Sequence, residues 1–141
     1  MKQIILLLTS FLLFATVSYA GEMFYITPQN GVAKVSEKAP FNEALMSGSK
    51  DIKLAALSKM GLSFIKFVWE PGAQMGLHTG PEQWIGYTVS GSAKCALGTA
   101  DNVDSTMVVK GGDVTVWEGN TYHGWVVTSN EPWVSLWFKK D

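Results

Sequence analysis

The feature that most constrains this chain is a succession of short apolar segments, rich in β-branched and aromatic residues and cut at close intervals by glycine, proline and asparagine, from Leu62 to the C-terminus. Leu62 to Trp69 ends at Pro71-Gly72, Trp84 to Val89 at Ser90-Gly91, and Ala93 to Leu97 at Gly98. Thr106 to Val109 runs into Gly111-Gly112-Asp113, and Val114 to Trp117 into Glu118-Gly119-Asn120-Thr121. Tyr122 to Thr128 runs into Ser129-Asn130-Glu131-Pro132, and Trp133 to Phe138 closes the series. Segments of this length and composition are strands, and the breakers between them are turns. No long helix fits among them, so the rhythm predicts an all-β sandwich or barrel with antiparallel neighbours.

Alternation gives each strand two faces. His123, Trp125 and Val127 share one, against Tyr122, Gly124, Val126 and Thr128. Trp84, Gly86, Thr88 and Ser90 oppose Ile85, Tyr87 and Val89; Trp133, Ser135 and Trp137 oppose Val134, Leu136 and Phe138. Neither face is simply polar. One therefore lines an interior, and the other is covered by more sheet, by the N-terminal segment or by a second subunit.

Upstream the pattern is weaker. Lys2, the apolar run Ile4 to Val17 and the small residues of Ser18-Tyr19-Ala20 have the form of a signal peptide cleaved after Ala20. That predicts a periplasmic or secreted protein with no membrane anchor after cleavage. The expected layout is a signal peptide over 1–20, an N-terminal segment packing on the barrel over 21–61, and the barrel core over 62–141. Met23, Tyr25 and Val35 fit a short edge strand with a turn at Pro28-Gln29-Asn30-Gly31. Phe41 to Met46 fits a helical turn, and Ile52 to Leu57 fits a strand or a short helix, with its Ala, Leu and Lys leaning helical.

The 11 basic residues are all lysine and stand against 12 acidic ones, with no basic cluster, which argues against binding a nucleic-acid backbone. Cys95 is the single cysteine and cannot pair within the chain, so the fold is held by its core; its apolar neighbours predict a buried, inert thiol. The two histidines, His78 and His123, fall in the two segments richest in turn signals, Glu70 to Gly91 and Lys110 to Val127.

Those two segments resemble the motifs of the cupin superfamily of small jelly-roll barrels, a resemblance that covers about Ile65 to Phe138. Pro71-Gly72 is followed after five residues by His78, and Gly91 closes the first motif at its expected distance. Gly112 is followed by five residues, then Glu118 at the motif's proline, Asn120 at its glycine, His123 at its histidine and Val127 at its asparagine. The resemblance implies a double-stranded β-helix and, in typical cupins, one divalent ion held by two histidines and a glutamate of the first motif and the histidine of the second. Here Gly80 stands at the second histidine and Trp84 at the glutamate, so two ligand positions lack a donor.

Glu82 and Gln83 lie just before Trp84, and a bulge there would aim either into the barrel. His78, His123 and Glu82, with Gln83 as a weaker oxygen donor, then form a candidate set for iron, manganese, nickel or zinc. Without a metal, His78 or His123 with Glu82 could act as acid or base near neutral pH. Trp84 and Trp125 share faces with the histidine positions and are expected in the pocket wall, with Gly76, Gly80 and Gly86 leaving room; Tyr87 and Trp117 are expected to be structural. Against each stands a simpler role: His78 as a loop histidine, Glu82 as a solvated acid, Glu118 and Asp113 as turn residues. The expected function is a small cupin that binds a divalent metal and acts on a sugar-acid-like or aromatic molecule, or a metal-free module that binds a small molecule or carbohydrate without catalysis, and in either case a homodimer, as many cupins are.

Overall fold

The structure is a computed structural model that describes residues 21–43 and 49–141. The expected signal segment, and the part of the expected helical turn beyond Glu43, lie outside the described residues. The described chain is all β and antiparallel, with eleven strands and no helix. A hairpin of β1 (Met23–Gln29) and β2 (Val32–Ala39) is followed by the two-residue β3 (Asn42–Glu43) and by β4 (Lys50–Lys59). Then come β5 (Leu62–His78), β6 (Trp84–Ser90), β7 (Ser92–Gly98), β8 (Val103–Lys110), β9 (Val114–Trp117), β10 (Tyr122–Val127) and β11 (Trp133–Lys140).

The long strand β5 organises the sheet. Its first half lies between β4 and β11, with Val68 opposite both Lys53 and Val134; its second half pairs with β10, placing His78 opposite His123. Between the halves Pro71 has no N–H to donate and Gly72 takes φ 79°, so the strand turns a corner without ending. The expected break at Pro71-Gly72 is thus a bend within one strand. On one side of it the order runs β4-β5-β11-β6-β9, and on the other β5-β10-β7-β8, which curls the sheet into a barrel.

The helical reading of Ile52 to Leu57 is overturned. These residues lie in β4, with Ile52 and Ala55 buried and every residue from Ile52 to Lys59 paired to β5. Helix propensity is a few tenths of a kcal/mol per residue, roughly, and a complete ladder to a long neighbour outweighs it. Asn42 and Glu43 are likewise paired to β4 and not helical. The β1-β2 turn forms at Asn30-Gly31, both at positive φ, as a two-residue hairpin requires. Met23, Tyr25, Ala39 and Phe41 pack on Ala55 and Leu57, so the N-terminal hairpin covers the outer face of β4.

The inner faces of the sheet form the main core, around Trp69, Met75, Cys95, Trp125, Val127, Trp133 and Trp137. Alternation holds through β6, where Gly86 and Thr88 are buried while Ile85, Tyr87 and Val89 are exposed.

Candidate functional site

Two strands converge at one end of the barrel. β5 ends at His78, β10 begins at Tyr122, and their pairing sets the two imidazoles side by side with ring centroids 4.4 Å apart. Each ring is held the same way. His78 Nδ1 is 2.9 Å from the Gly76 carbonyl, and His123 Nδ1 is 2.9 Å from the Thr121 carbonyl. A carbonyl only accepts, so each Nδ1 carries the proton and, in the neutral ring, each Nε2 keeps its lone pair. Burial pushes the His123 imidazole below the ordinary histidine value; the bond to Thr121 opposes that, and charge on His78 adds to it. His123 is therefore neutral at pH 7, with its Nε2 an acceptor.

The loops that carry the rest of the rim are clamped together. Asn120 donates its N–H to the Gly80 carbonyl at 2.6 Å, and Gly119 lies so close to Pro81 that a methyl there would fall 2.1 Å from the Pro81 carbonyl oxygen. Thr121 Oγ1 donates to the Glu118 carbonyl at 2.8 Å. This contact fixes Glu82 and Glu118, one on each loop, at the mouth of a cavity of about 260 Å³.

Five indoles wall that cavity: Trp69, Trp84, Trp117, Trp125 and Trp137. Ile65, Phe67 and Met75 add further apolar surface, and Thr79 and Thr121 are the hydroxyls in the wall. The rings brace one another, with Trp117 4.7 Å from His123 and 5.7 Å from Trp125, and Trp133 behind them 4.9 Å from Trp125 and 5.0 Å from Trp69. A hydroxyl two residues earlier on the same strand face takes the N–H of two rings: Trp117 Nε1 donates to Thr115 Oγ1 at 2.8 Å, and Trp137 Nε1 to Ser135 Oγ at 2.9 Å. Trp133 Nε1 reaches across to Thr88 Oγ1 at 3.2 Å. Trp69 has Phe67 at that earlier position, and its buried N–H has no partner among the described residues.

His78, His123, Glu82, Trp84 and Trp125 all line the cavity, whereas Gln83 is exposed and outside its wall. Strand β6 pairs with β9 in unbroken register from Trp84 opposite Trp117, so no bulge aims Glu82 or Gln83 inward. Instead the loop before β6 turns Glu82 back over Gly80, where a methyl would meet Glu82 Oε2 at 2.8 Å. The glutamate thus lies beside the position at which typical cupins have their second histidine. Its other oxygen is 3.8 Å from Lys139 Nζ. Gly80 is in the wall, but the space beside it is taken by Glu82 Oε2, that beside Gly86 is filled by the Trp137 ring, and Gly76 is on the exposed side.

Trp117 is in the wall and against His123, contrary to its expected structural role. The parity of β9, with Val114 and Val116 exposed and Trp117 buried, carried that information. Trp69 and Trp137 had no signal in the motif, because the bend of β5 and the pairing of β11 bring them in.

Two imidazole donors for a divalent ion are in place, oriented by their carbonyl partners as metal-ligating histidines are. Among the described residues no group of three His, Cys, Asp or Glu side chains stands close enough to hold an ion, Glu82 being turned toward Lys139. The donor set fits an ion held by two histidines and open to other ligands, not a closed four-ligand site.

The sequence matches no protein-family model and no curated protein. The fold does have solved neighbours. The polyketide cyclase RemF from Streptomyces resistomycificus is 16% identical over 72% of this chain and 73% of its own, with a TM-score of 0.61. KdgF from Halomonas sp. is 20% identical over 72% of this chain and 86% of its own, with a TM-score of 0.57. Oxalate decarboxylase from Bacillus subtilis, studied for its Mn(II) centres, is 25% identical over 66% of this chain, with a TM-score of 0.58; the chain spans 26% of that enzyme's length. These are cupin-fold proteins, and this chain has the cupin fold.

Proposed function

We propose that this protein is an exported small cupin that binds a small molecule in its indole-walled cavity, with a divalent ion on His78 and His123 as the centre of its chemistry. The observation that carries the reading is the pair of imidazoles 4.4 Å apart, each with Nδ1 tied to a carbonyl and Nε2 left free. A bound ion would supply Lewis acidity toward an oxygen of the ligand. The protein's own part is to fix both ring orientations, to keep His123 neutral by burial, and to exclude water with Trp84, Trp117 and Trp125. Iron, manganese, nickel and zinc all suit imidazole donors, and the Mn(II) centres of the oxalate decarboxylase neighbour support manganese among them.

The walls favour an aromatic ligand over a sugar acid. No lysine lines the cavity and the chain has no arginine, so an acid would depend on the ion alone for its countercharge. A metal-free binding module is the second reading, supported by the lack of a third donor in place beside the histidines among the described residues.

The homodimer belongs to the same proposal. On the outer face Ile85 is opposite Val116 and Tyr87 opposite Val114, all exposed, and β9 is an edge of the sheet. A second copy is the occupant that would cover this apolar surface.

Elemental analysis of the mature protein, purified without a histidine tag, tests the metal reading beside a His78→Ala, His123→Ala double variant. Near-stoichiometric metal in the parent and little in the variant is the expected result. A metal-free parent that also fails to take up added manganese, iron, nickel or zinc overturns it and leaves the metal-free module.

A further inference from the structure

The cavity has a marked electrostatic character. Its wall contains five indole rings and two carboxylates, Glu82 and Glu118, and no lysine. Indole faces are negative, and a desolvated cation over such a face is held more strongly than one in water. An anion meets the reverse: two carboxylates at the mouth and no lysine inside.

A side chain outside the cavity wall shows what Trp84 and Glu82 attract. Lys139, near the end of β11, places Nζ 5.6 Å from the centroid of the Trp84 ring and 3.8 Å from Glu82 Oε1. Its ammonium thus sits between an indole face and a carboxylate, although its side chain is only 23% exposed. Glu118, on the opposite loop, has no ion-pair partner among the described residues, so one negative charge at the mouth stays uncompensated. Also in the wall, the Trp69 N–H, in a residue only 2% exposed, and the buried Thr79 hydroxyl have no hydrogen-bond partner among the described residues. The cavity is therefore polar in a specific way: cation-attracting at its mouth and short of hydrogen-bond partners inside.

We infer that the cavity is an aromatic cage for a small organic cation, an alkyl- or arylammonium compound, whose charged group occupies the seat formed by Trp84, Glu82 and Glu118. The ligand's oxygen or hydroxyl end would face the Nε2 atoms of His78 and His123. Lys139, outside the cavity wall, competes with the ligand for Glu82 and Trp84. The inference rests on the cavity being a ligand site, as proposed above, but it needs no metal ion there.

The experiment uses the mature full-length protein after dialysis against a chelator, titrated by calorimetry and by tryptophan fluorescence. The probes are choline, its uncharged isostere 3,3-dimethylbutan-1-ol, and the anion 3,3-dimethylbutanoate. Choline is expected to bind about tenfold more tightly than the isostere, from the cation–indole attraction, and the anion not to bind measurably. Trp84→Leu and Glu118→Gln should each weaken choline several-fold and leave the isostere nearly unchanged. Lys139→Gln should tighten choline, and a gain of affinity cannot arise from misfolding. Equal binding of choline and its isostere, preference for the anion, or no choline binding by either the parent or Lys139→Gln overturns the inference. Metal content and uptake are read separately, so failure here with metal on the histidines leaves the metal reading standing. Binding of choline by metal-free protein supports the cage whatever the fate of the ion.

Discussion

Gly86 is where stability and the cavity wall meet. It is buried in β6 beneath the Trp137 ring, and a methyl at this position would fall 2.8 Å from Thr115 Oγ1 and 3.0 Å from two ring carbons of Trp137. Thr115 Oγ1 is the acceptor of the Trp117 N–H at 2.8 Å. Gly86→Ala must therefore displace Trp137, loosen the bond that orients Trp117, or both, and each ring is part of the wall. Overpacking of this kind costs about 1–3 kcal/mol. At a urea m-value of about 2 kcal/mol/M, a loss of about 2 kcal/mol lowers the midpoint by about 1 M. Urea unfolding followed by tryptophan fluorescence measures it, with Gly76→Ala as the control. Gly76 is also a strand glycine, but nothing lies within 4 Å of its would-be methyl and it has no positive φ. There alanine should be neutral or stabilising by up to roughly 0.5–1 kcal/mol, because it restricts the unfolded chain. The two variants should move the midpoint in opposite directions or at least differ by most of 1 M, roughly. Equal midpoints, with unchanged near-ultraviolet dichroism of the indoles in Gly86→Ala, would refute the reasoning.

Other consequences follow from single contacts. Thr88→Val keeps the shape of a buried residue but removes the acceptor of the Trp133 N–H; it should cost about 1–3 kcal/mol with an unchanged m-value in the same urea assay. Burial raises the Cys95 thiol to about 12, against a weaker opposing hydrogen bond from the Gly124 backbone, so it has almost no thiolate at pH 8. It should resist iodoacetamide at that pH in the folded protein and react on denaturation, and rapid native alkylation would contradict the buried position. Val116, 74% exposed at the β9 edge, is the apolar residue to charge: sedimentation should find a dimer in the parent and a monomer in Val116→Lys, and a monomeric parent would remove the proposed second copy from this face.

How much of this was legible beforehand depends on the range over which each feature is decided. Strands β6 to β11 follow from local signals, because period-two alternation and turn residues act within a few positions. The motif positions of His78 and His123 were legible too, but their pairing was not, because the first strand was expected to end at Pro71-Gly72, short of His78. Ile52 to Leu57 misled because its composition favours a helix, while its state was decided by the ladder to β5, whose partner residues lie beyond the Met60-Gly61 turn. Glu82 was a candidate by proximity alone. Its turn over Gly80 and its contact with Lys139, 57 positions along by simple difference of the residue numbers, required the folded loops.

By itself the sequence determined an antiparallel barrel, its inward faces, its two histidines and its want of arginine, because composition and alternation fix what each strand can bury. Only the tertiary structure decided that five indoles meet in one wall, that Trp117 stacks on His123, and that the mouth is held by two clamped loops bearing carboxylates. These depend on the bend of β5 at Gly72 and on the registers of β9, β10 and β11. Such registers are set by the packing of the whole core, and no local stretch of residues encodes them.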